Sequence, residues 1–162
     1  MNRALVALYV PAALLSFCRG LLVPTLPVFA DSFGISIALV GLVLAAEATG
    51  MLLADAPAGF LVSRMQPKRA MLLGVGTVGL GVLGTAVAPQ LWMVFITLGL
   101  TGAGSSLWNL SRHAYLTGAT RSHNRGRTMG VFGGVSRLGH FVGPAVGGAV
   151  ALAWGIRAPF FL

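Results

Sequence analysis

The sequence predicts an all-α protein embedded in a membrane. Three observations carry that expectation: sparse charge, apolar runs of bilayer length, and cations gathered between the runs on alternate sides. A soluble domain carries about 25% charged residues. This chain of 162 residues carries 9%, with 56% hydrophobic and a mean hydropathy of +0.87. So few charges cannot cover a water-facing surface.

A helix crosses a bilayer with about 20 mostly apolar residues. The runs of that kind are Ala4–Ala30, Ile35–Val62, Ala70–Ala88, Leu91–Leu110 and Met129–Trp154. A sixth begins at Ala158 and is met by the end of the sequence at Leu162. Five complete spans and the start of a sixth are therefore expected. With the N-terminus in the cytoplasm, the inner segments hold Arg3, Arg64, Lys68, Arg69, Arg112, Arg121, Arg125 and Arg127. The outer segments hold only Arg157. That asymmetry obeys the positive-inside rule and sets the expected orientation. It also accounts for the formal net charge of +8 without nucleic acid as a partner.

The first span carries Arg19, and its continuation from Cys18 through Ala30 argues against a cleaved signal peptide. A single cysteine excludes an intrachain disulfide. The second span carries Glu47 and Asp55, which with Asp31 are the only acids. Residues 56–162 thus offer no carboxylate pair for acid–base catalysis and no hard-metal site. In the third span Gly74, Gly76 and Gly79 match the dinucleotide fingerprint G-x-G-x-x-G. The match is rejected: no strand precedes it and no acid follows, so these read as packing glycines and no cofactor is expected. The fourth span holds Ser105, Ser106, Trp108 and Asn109. The fifth holds Arg137 and His140 and the run Gly139-His140-Phe141-Val142-Gly143-Pro144-Ala145-Val146-Gly147-Gly148.

Glycine and proline disfavour a helix in water. In lipid, backbone groups keep their helical bonds because no water replaces them, and glycine lets helices approach closely. Gly139, Gly143 and Gly147 are four apart and share one face; Gly126, Gly130 and Gly134 form a similar stripe. Pro144 cannot donate to the His140 carbonyl, so a bend is expected there.

Arg19, Glu47 and Arg137 lie well inside their spans, and His140 shares a helix side with Arg137. An ionised group at the bilayer centre costs at least about 2.5–3.5 kcal/mol, so such groups face a bundle interior or a wet cavity. Arg19 and Glu47 fall at similar depth and are expected partners. Two readings stand for this network: a pair that fixes packing, or groups that gain and lose a proton. Asp55 is equally readable as an interfacial acid. The third span has only Thr77 and Thr85 as polar side chains, so the other four are expected around a polar cavity. Ser105, Trp108 and Asn109 are candidates to line it, with Trp108 also readable as an interfacial anchor. His113 and His123 lack companion ligands for a metal.

The chain resembles the N-terminal half of a major facilitator superfamily transporter. The residues that carry the resemblance are the fifth-span motif Gly139, Gly143, Pro144, Gly147 and Gly148, typical of drug–proton antiporters. The loop Gly59 to Arg69, with Arg64, Lys68 and Arg69, resembles the signature between helices two and three. Gly20 to Pro27, with its paired prolines, is similar to the end of the first helix. The resemblance implies a twelve-helix fold of two six-helix halves, residues 1–162 being the N-terminal transmembrane bundle with the C-terminal half missing. It implies proton-coupled efflux of small molecules by alternating access, and membrane lipid, substrate and protons as partners. Ser63 stands where the family usually has Asp, Gln66 where it has Gly, and Leu98 where its fourth helix has Arg. Proton coupling within this half then falls to Glu47 or Asp55. The alternative is a non-transporting scaffold or a truncated inactive product. An intramembrane enzyme would need a nucleophile–base pair that the sequence does not present.

Overall fold

In the computed structural model of the protein, residues 3–119 and 125–161 are described. Arg121 and His123 lie outside the described residues, as do the side chains of Arg3, Arg125 and Arg127. Five long helices follow in order: α1 Arg3–Asp31, α2 Ile37–Arg64, α3 Pro67–Val87, α4 Leu91–Ala119 and α5 Arg125–Trp154. A 3-10 turn, Ala158–Phe161, stands where a sixth span was expected to begin. Among the described residues four helices are long and apolar enough to cross a membrane: Tyr9–Asp31 of α1, α2, α3, and Leu91–Gly118 of α4. In α5, 30 residues long, Arg137, His140 and many glycines lower the hydropathy without shortening the helix.

Local chemistry sets the ends. Ser36 caps α2, its hydroxyl accepting from the Leu39 N–H at 3.4 Å. Pro67 opens α3, where its missing N–H costs nothing. Gly34 and Gly155 take positive φ, +68° and +92°, and turn the chain after α1 and α5. The fourth helix runs nine residues past the apolar stretch that ends at Leu110. Its inner side continues through Ser111 and Leu116, both buried, while Arg112 to Tyr115 and Thr117 face outward or are half-buried. An amphipathic extension of this kind leaves no break for an apolarity reading to find.

The chain divides into two compact units, residues 1–29 with 122–162, and residues 30–121. In the second unit α4 lies between α2 and α3. The α3–α4 hairpin is antiparallel: Gly74 meets Gly104 and Trp108, while Gly81 meets Thr97 and Thr101. Where Gly81 lies, the Thr101 N–H and Thr97 carbonyl would be 2.8 Å from an added Cβ. Thr85 and Thr97 share a hydroxyl–hydroxyl bond of 2.8 Å across this seam. Down α4, Thr97, Thr101 and Ser105 each donate to the carbonyl one turn back, which removes their polarity from the interface. By contrast α2 and α4 are parallel, with Gly50 against Gly99, Gly102 against Glu47 and Met51, and Gly59 against Leu110. Ala58, Ala70 and Leu107 join all three helices in one apolar cluster.

The first unit packs α1 against α5, also in parallel. Gly139 meets Ala13 and Phe17, Gly143 meets Phe17 and Gly20, and Gly147 meets Leu21. A Cβ on Gly143 would come within 2.6 Å of the Gly20 Cα. The prolines Pro11, Pro24 and Pro27 lie inside α1, which remains one helix. Tyr9 packs on Phe132, and Phe29 on Phe160, with ring centroids 6.1 and 5.3 Å apart.

Candidate functional site

The helix breakers of α5 sit where the chain needs backbone contact. Pro144 leaves the His140 carbonyl without its helical donor. That carbonyl lies beside Gly20, 3.3 Å from where a Cβ would be, with the Gly139 carbonyl at 3.0 Å. Only a residue lacking a side chain brings α1 this close, and weak Cα–H contacts to carbonyls become available there. Gly139, Gly143 and Gly147 therefore form the seam with α1. Gly148 faces open space, as do Gly126, Gly130 and Gly134. The second expected glycine stripe thus has no helix against it among the described residues. Arg137 and His140 are both exposed.

The α2/α4 crossing carries the acids. Glu47 is half-buried, and its carbonyl lies against Gly102 of α4. Two turns on, the carboxylate of Asp55 accepts a hydrogen bond from the Ser106 hydroxyl at 2.5 Å. Ser106 is fully buried, at 0% exposure. A buried hydroxyl aimed at a carboxylate on a neighbouring helix is a charge-assisted bond, stronger than a neutral pair. It fixes the register of the parallel pair, and it offers the carboxylate a donor that water would otherwise supply. Arg19 is half-buried on α1. Arg19 belongs to the first unit and Glu47 to the second.

The expected cavity-lining residues have other surroundings. Ser105 is 1% exposed and bonds to Thr101. Trp108 is 7% exposed, its backbone close against Gly74 of α3. Asn109 is half-buried. Ser106 is the residue that sequence reasoning passed over as a partner for Asp55. Its only signal was a second hydroxyl beside Ser105 in an apolar run. An apolar hollow of about 190 Å³ at the α3–α4 turn, lined by residues such as Val87, Pro89, Trp92 and Ile96, contains no ionisable group. Among the described residues no three His, Cys, Asp or Glu side chains gather as metal ligands. Of the loop-motif residues, Arg64, Lys68 and Arg69 are exposed at one end of the second unit, and Gly59 is in contact with Leu110.

Comparison with known proteins follows the same lines. The family model described as the Major Facilitator Superfamily matches residues 8–162. Multidrug resistance protein 2 of Bacillus subtilis (strain 168) is 28% identical over 142 residues, covering 88% of this chain and 35% of that protein. An uncharacterized MFS-type transporter of Methanocaldococcus jannaschii is 25% identical over 142 residues, 88% of this chain and 37% of its own length. Quinolone resistance protein NorA of Staphylococcus aureus is 22% identical over 161 residues, 99% of this chain and 41% of that protein. The chain thus spans well under half the length of the relatives it matches.

Proposed function

Because the chain belongs to the Major Facilitator Superfamily and is a multi-pass membrane protein, we propose that the protein of which it forms part exports small molecules from the cell by alternating access, driven by protons. Members of this family act as transporters rather than enzymes. Two of the relatives are named for resistance to drugs, which supports export as the direction. The chain would lie in the cytoplasmic membrane with its N-terminus inside, on the strength of its Lys/Arg asymmetry.

The observation that carries the proton-coupled reading is the bond from Ser106 to Asp55 across two packed helices. A carboxylate bound this way exchanges one hydrogen-bonding role on protonation, from acceptor alone to donor as well. Protonation of Asp55 would alter how α2 is held to α4, and Glu47 sits on the same crossing. Each step of alternating access needs such a differential contact between two states.

The test is proton-driven substrate efflux by the full-length protein in inverted membrane vesicles. Glu47→Gln or Asp55→Asn is expected to abolish coupling while the protein still inserts. Normal proton-driven transport by both variants would overturn the assignment of coupling to these acids, and no transport by the unaltered full-length protein would favour a non-transporting role. Orientation is checked separately: a Gln66→Cys variant should label from the cytoplasmic side and a Pro89→Cys variant from the outside.

A further inference from the structure

The first unit, residues 1–29 with 122–162, contains no Asp or Glu, because the acids of the chain are Asp31, Glu47 and Asp55. No carboxylate side chain of that unit answers its cations. Arg157 lies over the Phe29 ring, 5.5 Å from the centroid, and Arg19 is half-buried on α1. Arg137 differs from both. It is exposed, and among the described residues it makes no hydrogen bond, ion pair or ring contact. It also falls within three residues of the midpoint of α5, Arg125–Trp154. An ionised side chain at that depth is costly in hydrocarbon, and a guanidinium does not escape by losing its proton. Arg137 therefore faces water or an anion rather than lipid.

The residues around it make a distinct surface. Gly130, Gly134, Arg137 and Phe141 follow one another by four, three and four residues, the spacing of one helix face. All four are exposed, Phe141 at 83%. An added Cβ on Gly130, Gly133 or Gly134 meets nothing within 4 Å among the described residues. The backbone thus lies bare on the N-terminal side of Arg137, and an uncovered aromatic ring stands one turn the other way. His140, three residues after Arg137 and also exposed, adds a ring N–H donor. Over about 17 Å of helix this face presents flat backbone, one permanent cation and one ring. Packing on α1 does not explain it, since that contact uses Gly139, Gly143 and Gly147.

We infer that this face of α5 binds the exported substrate, and that the substrate is an aromatic anion, a carboxylate or sulfonate on a planar ring system. The anionic group pairs with the Arg137 guanidinium, through two parallel N–H···O bonds in the case of a carboxylate. The ring stacks on Phe141. The rest of the molecule lies against Gly130 and Gly134, where a side chain would hold a planar body away. A cationic ring system of the same size is disfavoured by like charge. That the ligand is the transported molecule rests on the export proposal; that this face takes an aromatic anion does not.

The experiment uses the purified full-length protein in nonionic detergent and two xanthene dyes, anionic fluorescein and cationic rhodamine 6G, with binding read by fluorescence anisotropy. Fluorescein should bind saturably. Arg137→Gln should weaken it about tenfold, the effect of removing one charged hydrogen-bonding partner, and leave rhodamine 6G unchanged. Arg137→Lys should recover part of the affinity, since it keeps the charge and loses the planar fork. Gly134→Leu should weaken fluorescein as well, with no change in the thermal unfolding temperature. Absence of saturable fluorescein binding, or equal affinity in Arg137→Gln, would overturn the inference. So would an Arg137→Gln protein that loses both dyes and thermal stability together, which would put Arg137 against a carboxylate of the protein itself. Fluorescein that binds in this Arg137-dependent way but is not moved into inverted vesicles would instead strike the export proposal and leave the site standing.

Discussion

The two parallel crossings, α1 with α5 and α2 with α4, are built from the same material to different ends. Both bring backbones together at glycine. In the first, glycines from both helices meet, Gly20 with Gly139 and Gly143, and Arg137 and His140 of α5 stand exposed. In the second, Gly50 and Gly102 provide the approach, while Glu47 and Asp55 lie along the crossing and Ser106 reaches Asp55. Close approach thus accounts for Gly139, Gly143 and Gly147 of the antiporter-type motif in this chain, while Gly148 has nothing within 4 Å among the described residues. The acids to which the proposed proton coupling is assigned lie at the other crossing.

The largest effect should come from filling either crossing. Gly143→Leu and Gly102→Leu each place side-chain atoms against backbone that cannot yield. Each is expected to destabilise the folded chain by about 3 kcal/mol or more, read as thermal unfolding in detergent by circular dichroism. A stable Gly143→Leu protein would break the comparison at its root. A smaller loss, about 0.6 kcal/mol, is expected for Thr85→Val or Thr97→Val, the usual size of an interhelical hydrogen bond in a membrane protein. The smallest effect should be at Gly134 and Gly148, where nothing lies within 4 Å of an added Cβ. Gly148→Ala should unfold at the same temperature as the unaltered chain, although it alters the same sequence motif as Gly143.

How much of this could be read from the sequence depends on what each feature needs to know. The helices were legible because apolar length is a local property: all five run through the expected segments, and among the described residues four of them are long and apolar enough to cross a membrane. The far part of α4 was not, since Ser111 and Leu116 bury one side of a stretch whose other side is polar. The two glycine stripes of α5 look alike in sequence, and only a partner distinguishes them. Gly139, Gly143 and Gly147 have α1; Gly126, Gly130 and Gly134 have nothing within 4 Å among the described residues. Trp108 was assigned to a cavity or an interface and instead packs close to Gly74, because no periodicity tells which neighbour a face meets. Asp55 and Ser106 are 51 positions apart on parallel helices separated in sequence by all of α3. Their pairing comes from the register of that crossing, which depends on Gly50 and Gly102 together.

The most direct measurement is a double-mutant cycle on that pair: Asp55→Ala, Ser106→Ala and the combination, compared by unfolding in detergent. An interhelical bond at this crossing predicts a coupling of about 1 kcal/mol, with the double variant less destabilised than the sum of the singles. Strict additivity would mean the two residues do not meet, and the account of the α2/α4 crossing as the proton-responsive one would fail with it.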